Sequence, residues 1–303
     1  MSSKILITGG TGLVGTRLSE KLAQMGHQVT HLSRRANPHA KFPAFKWDIE
    51  KGEIDPKALE VDHIIHLAGA GVGDQKWTER RKKVIYDSRI DSTKLLHDKV
   101  KEAGISLKSF LSASAIGYYG MDTGDQLLAE DSPGANDFLA QVTADWEKAA
   151  EGFEELNIPL IYLRIGVVFS SKGGALVKMA QPVRFGVGAA LGSGKQYISW
   201  IHIDDICAMI IWLLENKKEG IYNGVAPNPK TNSEVTKAIA QTLKRPLFLP
   251  PVPAFVLKMM LGEMSSIAQG GNKVSAQKLV DEGFEFQFND IRSALSDIYE
   301  KGV

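Results

Sequence analysis

Short runs of consecutive apolar residues alternate along the chain with longer stretches in which apolar positions recur every three or four residues. "KILIT" is followed by "LVGTRLSEKLAQMG" and then by "QVTHLS", and "HIIHLAG", "KSFLSAS" and "IPLIYLRIG" come further on. The first kind of run reads as a strand and the second as an amphipathic helix, so their alternation predicts βαβ units around a parallel sheet. Strands such as Ile64 to Leu67 lack polar alternation, as strands covered by helices on both faces do. The expected fold class is α/β, a Rossmann-like doubly wound parallel sheet. After Asn223 the character changes, with prolines gathered in "APNPKTNSE" and "RPLFLPPVPAF". Residues 1–224 are therefore read as the sheet domain, and 225–303 as a small, mostly helical C-terminal lobe closing a cleft. Phe255, Leu257, Met260 and Leu261, near helical spacing, and Leu279, Phe284 and Phe286 are its expected core.

The strongest chemical motif lies between the first strand and the first helix, in "TGGTGLVG" at 8–15. Gly9 permits a tight turn, Gly12 lets the backbone approach a pyrophosphate, and Gly15 allows helix and strand to pack closely. The helix start adds free N–H groups and the positive end of a dipole. With Thr11, Leu13 and Val14 between the glycines, the turn is the expected pyrophosphate cradle of a dinucleotide. The second strand ends in "SRR", where a site for NAD would place an acid to hold the ribose 2′-hydroxyl. Ser33, Arg34 and Arg35 instead suit a 2′-phosphate through charge-assisted, bidentate hydrogen bonds, so NADP(H) is the expected cofactor.

Composition narrows the class of partner. With 36 Lys plus Arg against 35 Asp plus Glu, a net charge of +1 offers no global attraction for nucleic acid or anionic lipid. A small-molecule substrate is favoured. The single cysteine, Cys207, forms no internal disulfide or metal cluster and reads as a small core residue. No metal site is expected. "MSSKILITGG" runs straight into a strand and "AMIIWLL" is too short to span a bilayer, so the expectation is a cytoplasmic protein without membrane attachment.

Several further blocks resemble the extended short-chain dehydrogenases/reductases, within the NAD-dependent epimerase/dehydratase-like branch of YfcH-type epimerases. "TGGTGLVG" matches the pattern TGxxGxxG; "KWTERRKKVIYDSRIDSTKLL", "LSASAIGYYG" and "GSGKQYISWIHIDDIC" are similar to successive blocks of that branch. The tail "PPVPAFVLKMMLGEMSSIAQGGNKVSAQKLVDEGFEF" resembles its small C-terminal domain. The resemblance implies that Asp48 of "FKWDIE" contacts adenine with Ile49 beside it, and that Leu67, Ala68 and Gly69 pass under the cofactor. It also puts Arg164 and Gly166 of "LRIGVVFSSKGGAL" at the cofactor, and a homodimer is open as the assembly.

Other residues read more plainly. Asp204 or Asp205 caps a helix; Trp77, Arg80 and Arg81 start one with a solvated basic face; His66 and His202 are core histidines. Arg89 stands where typical extended members carry Asn, and either places a fixed charge near the site or pairs with Asp87 or Asp91.

The family's usual proton-handling pair is a Tyr and, four residues later, a Lys on one helical face. In "DFLAQVTADWEKAA", aligned on Glu147, those positions hold Leu139 and Thr143, and neither can do that work. What remains is the preceding strand end, where Ser114 and either Tyr118 or Tyr119 are the expected catalytic groups, with Ser112 as an alternative serine. Two functions stay open: an NADP-dependent oxidoreductase or epimerase acting on a small hydroxylated or sugar-nucleotide-like substrate, or an NADP(H)-binding sensor with little turnover.

Overall fold

The structure, a computed structural model, describes residues 2–303. Its central eight-stranded sheet comprises β1 (Lys4–Thr8), β2 (Gln28–Ser33), β3 (Ala44–Asp48), β4 (Glu53–Ile54), β5 (His63–His66), β6 (Ser109–Ala115), β8 (Leu160–Ile165) and β12 (Gly220–Gly224). Three two-stranded ladders flank it: β7 (Leu127–Leu128) with β14 (Lys273–Val274), β9 (Val167–Phe169) with β11 (Trp200–His202), and β10 (Tyr197–Ile198) with β13 (Lys230–Thr231). The helices are α1 (Leu13–Gln24), α2 (Glu79–Glu102), α3 (Phe138–Ala150), α4 (Gly152–Glu155), α5 (Gly174–Arg184), α6 (Ile203–Glu215), α7 (Asn232–Thr242), α8 (Ala254–Leu261), α9 (Ser265–Gln269), α10 (Gln277–Asp281) and α11 (Ile291–Lys301).

Strand order in the sheet is β12-β8-β6-β5-β1-β2-β3-β4, and every neighbouring pair is parallel except β3 with β4. The chain runs outward from β1 through β2 and β3, then returns to β5 on the other side of β1. That reversal opens a crevice at the C-terminal ends of β1 and β5, the place where this kind of sheet binds ligands. Both faces are apolar, as the unbroken strand runs require. Ile5 and Ile7 pack with Leu18 and Leu22 of α1 and Ile206 and Ile210 of α6. Leu6 falls between them in sequence and belongs to the opposite cluster, with Leu95 and Leu96 of α2 and Phe153 of α4.

Residues beyond 224 return to this body. β13 and β14 pair with strands of its loops, and α7 packs with α5 and α11 around Phe169 and Trp200. Leu257, Leu279 and Phe284 are buried as expected, but Phe255 and Met260 are 72% and 60% exposed. Helical spacing marks an apolar face on α8, and only the Leu257 side of it meets the protein. The cap of α6 also differs from expectation. His202 holds the N-cap, its Nδ1 accepting from the Asp204 N–H at 3.0 Å. Asp204 is drawn aside to Arg17 and Lys21, and Asp205 accepts from the Gln287 and Phe288 N–H groups.

His66 joins the middle of the sheet to α2. It is fully buried, with Thr8 Oγ1 2.7 Å from Nδ1 and the Ser92 and Thr93 hydroxyls 3.2 and 3.0 Å from Nε2. Both of those hydroxyls donate to main-chain carbonyls, and Thr8 Oγ1 already accepts from the Ala68 N–H. The network is therefore complete with a neutral ring that accepts at Nδ1 and donates at Nε2.

Burial, with the Arg89 charge behind it, pushes the His66 pKa down to about 3. The unfolded chain takes this proton near the ordinary value of about 6.5, whereas the folded chain resists until about 3. The stability contribution is thus complete above about pH 6.5 and falls as pH drops towards 3, with about 2 kcal/mol gone by pH 5. Urea unfolding at pH 7.5 and pH 5 should show that loss, and His66→Gln, which keeps a donor and an acceptor without a titrating proton, should show a smaller one.

Candidate functional site

The turn between β1 and α1 is built by close approach. Gly9 has φ +68°, and a Cβ there would stand 2.9 Å from the Leu67 carbonyl. A Cβ on Gly15 would run into the Gly9 carbonyl oxygen, so the first turn of α1 lies directly on the loop. Gly12 holds the N-cap, and no side chain caps the helix. The first N–H groups of α1 therefore stay free for an anion, as a pyrophosphate cradle requires. A cavity of about 450 Å³ opens beside Thr11, Gly12 and Leu13, bounded across the way by Ser170, Lys172 and Gly173.

The other expected cofactor segments lie along the same edge. Ser33 ends β2 with Arg34 and Arg35 exposed beyond it, Asp48 ends β3 with Ile49 after it, and Leu67, Ala68 and Gly69 follow β5. Parallel pairing puts the C-terminal ends of β1, β2, β3 and β5 on one side, so residues spread from Gly9 to Gly69 lie along one edge of the sheet. Gly166, just past β8, lies on the wall of a second cavity.

That second cavity, about 270 Å³, is bounded by Leu139, Val142, Thr143 and Trp146 of α3, by Arg89 of α2, and by residues 115–117, 120–121, 165–167, 197–199, 267 and 270–272. Leu139 and Thr143 both face it, stacked one helical turn apart, and the Thr143 hydroxyl donates back to the Leu139 carbonyl. Tyr197 is the tyrosine among the lining residues, which include neither Asp nor Glu. Ser199 and Asn272 are already engaged: Ser199 donates to the Asn272 carbonyl, and the Asn272 amide donates to the Ile116 and Gly120 carbonyls.

The residues expected to carry catalysis are elsewhere, gathered around Arg164. Arg164, expected at the cofactor, is 1% exposed and forms a bidentate pair with Glu147, both bonds 2.8 Å. Its Nη1 also donates to the Tyr119 hydroxyl and the Glu130 carbonyl. The Tyr118 ring lies flat against the guanidinium, 3.5 Å from its carbon. Ser114 donates to Glu147 at 2.5 Å, and Tyr119 donates to Asn223 Oδ1 at 2.7 Å. None of Ser114, Tyr118, Tyr119 or Arg164 lines the cavity, and burial raises the Tyr119 pKa despite the neighbouring guanidinium. The alternative, Ser112, is buried with its hydroxyl turned to the Ala113 carbonyl. These side chains point into the protein because a buried cation is tolerable only with a paired carboxylate and satisfied donors.

Sequence reading missed Tyr197, Asn272 and Arg81. Arg81 was read as solvated, yet it donates to the Gly71 carbonyl at 2.6 Å, while the Trp77 indole holds the Val72 carbonyl. Together they fix the loop after β5. Nothing in local spacing marks these roles, since each partner belongs to a loop without periodicity. Arg89 pairs with neither Asp87 nor Asp91; Lys83 takes Asp87. Cys207 is the expected core residue, fully buried, and burial pushes its thiol up to about 12. Among the described residues there is no group of acids, histidines and cysteines that could hold a metal ion, and no helix long and apolar enough to cross a membrane.

A parallel sheet that reverses beside a glycine turn, with an anion-ready helix start at the reversal, is the architecture of the Rossmann-like dinucleotide-binding folds. The model of the NAD dependent epimerase/dehydratase family matches residues 5–224, and a domain of unknown function, DUF1731, matches 252–298. The chain belongs to that epimerase/dehydratase family. It is 34% identical to the epimerase family protein YfhF of Bacillus subtilis, with 97% of each chain covered. Among solved structures it is similar to human epimerase family protein SDR39U1 with NADPH, at 30% identity, TM-score 0.87, and 98% and 99% of the two chains. It is also similar to a nucleoside-diphosphate sugar epimerase from Corynebacterium glutamicum, at 29% identity and TM-score 0.80, covering 100% of this chain and 59% of that one.

The Arg164–Glu147 pair sets a stability test. Arg164→Met leaves Glu147 buried without its partner and should cost about 3–5 kcal/mol in urea unfolding. The double change Arg164→Met with Glu147→Met should cost less than the single one. A single-variant cost below about 1 kcal/mol would show that the pair does not hold β8 to α3.

Proposed function

We propose that this chain is an NADP(H)-dependent oxidoreductase or epimerase acting on a small hydroxylated or sugar-nucleotide-like substrate. The observation that carries the reading is a glycine turn with free helix N–H groups, on the same edge of the sheet as the exposed arginines that follow β2. The glycine cradle fits a pyrophosphate, and Arg34 and Arg35 suit the 2′-phosphate that distinguishes NADP from NAD. The similar human protein was crystallised with NADPH, which supports the same preference here.

When bound, the nicotinamide gives or takes a hydride. The chain's own residues bind the dinucleotide along the strand ends and enclose a substrate in the cavity over α3. At about 270 Å³ this space is near the lower end of ligand pockets, which run from roughly 300 to 1,000 Å³ and favour a compact substrate here. Leu139, Val142, Trp146 and Ile165 keep water from much of the wall. Tyr197, the tyrosine among the lining residues, is our candidate to exchange a proton with a substrate oxygen, since Ser114 and Tyr119 spend their hydroxyls on Glu147 and Asn223.

A second reading, an NADP(H)-binding sensor with little turnover, is favoured by one observation. Leu139 and Thr143 face the cavity where the resemblance would put the Tyr and Lys of the usual mechanism.

Calorimetric titration should show NADPH binding at least roughly tenfold tighter than NADH, and the double change Arg34→Ala with Arg35→Ala should remove most of that difference. Equal affinities would overturn the NADP reading. With cofactor saturating, turnover of any compound in a carbonyl and sugar-nucleotide panel that falls on Tyr197→Phe supports the enzyme. Tight NADPH binding with no turnover across the panel supports the sensor.

A further inference from the structure

Arg89 is the cation on the cavity wall, and its protein contacts leave its charge unpaired. Its Nη1 donates to the Ala70 and Ile85 carbonyls at 3.0 and 2.8 Å, and its guanidinium carbon stands 5.1 Å from the centroid of the Trp146 ring. Those contacts aim the group past Gly69 and onto the cavity wall. They do not neutralise it. Among the described residues no carboxylate lies within ion-pair distance of Arg89, and the nearby acids are taken, Asp87 by Lys83, Asp74 by Arg81 and Glu79 by Lys82. Its Nε and Nη2 make no protein hydrogen bond there either.

A half-buried cation without a counter-ion is costly unless something else supplies the charge. Burial, reinforced by Arg81, lowers the Arg89 pKa to about 10, which leaves it charged at neutral pH. The cavity it faces contains no acid, and its α3 wall is largely apolar, so attraction for an anion there is weakly screened. The free edge of a guanidinium matches the two oxygens of a carboxylate. Other cations of the family's usual site are no help, since position 143 is Thr.

We propose that Arg89 is a substrate-binding residue, and that the substrate carries a carboxylate beside its hydroxyl or carbonyl group. The inference rests on reading the cavity as the substrate site and goes further by naming the charge the substrate bears. Retention of an arginine only to hold the Ala70 carbonyl is the competing account, and it makes no demand on the ligand.

The test uses the full chain, first titrated with NADPH and then, with NADPH saturating, with gluconate and glycerate against their neutral counterparts glucose and glycerol. The carboxylates should bind at least roughly tenfold tighter than the neutral compounds. Arg89→Gln should erase that difference with NADPH affinity kept, and Arg89→Lys, which keeps charge but loses the fork, should retain part of it. If Arg89→Gln does not fold, the Lys variant and the wild-type preference carry the test. No carboxylate binding, equal binding of the neutral compounds, an unchanged preference in a folded Gln variant, or loss of NADPH binding in place of the preference would each overturn the proposal. Failure of the wild-type protein to bind NADPH would instead strike the cofactor reading, so the two failures are distinguishable.

Discussion

The guanidinium of Arg164 is enclosed by the Glu147 carboxylate, two tyrosine rings and the Glu130 carbonyl, and the position of α3 depends on that enclosure. Burial opposes its charge, yet the bonds and charge of Glu147 outweigh burial and hold its pKa above the ordinary value. Glu147 lies one residue from Trp146 and four from Thr143, so fixing its carboxylate against β8 fixes the helix that walls the cavity. Ser114 ties the same carboxylate to β6, and Tyr119 carries the network on to Asn223 of β12. From Asn223 it reaches the Ser275 carbonyl, beyond the sheet. One buried ion pair thus connects the sheet, the cavity helix and the C-terminal residues.

The two ends of the candidate site are made differently. At the glycine turn the geometry is local, because the clash a Gly15 side chain would make is with Gly9 and Gly10, a few residues away. At the cavity every wall comes from a distant part of the chain: α2, α3, the segment after β8, and residues 267 and 270–272. The loop after β5 mediates between them, held by Trp77 just before α2, by Arg81 and Arg89 within it, and by Lys178 of α5 at the Gly73 carbonyl.

That contrast explains what was legible in the sequence. The sheet, its covering helices and the turn were readable because each rests on short-range patterning, period two or 3.6 and glycines at fixed offsets. A parallel sheet also puts the ends of β2 and β5, with Ser33 to Arg35 and Leu67 to Gly69, on one edge. Arg164 and Tyr119 were misread because their motif shows only that they are polar residues at a strand end. Which way they turn is decided by Glu147 and Asn223, 17 residues from Arg164 and 104 from Tyr119. The same limit governs α6, whose acids look like caps until Arg17 and Lys21 on another helix draw Asp204 aside. It governs Phe255 and Met260 as well, since spacing identifies a face and not what covers it.

On the reading that Leu139 and Thr143 stand at the family's Tyr and Lys positions, the electrostatics of the cavity change with them. A phenol and an ammonium on α3 would bring a titrating group and a second cation; Leu139 and Thr143 bring neither, and the Thr hydroxyl is spent on the Leu139 carbonyl. The wall becomes drier and less polar, which strengthens whatever charge remains. That charge belongs to Arg89, held on α2 beside Trp146 of α3. A cation so placed cannot activate a hydroxyl at position 139, where there is none. Under the proposed reading it would orient a ligand's anionic group, and chemistry in this cavity would depend more on holding the substrate than on a proton relay through α3.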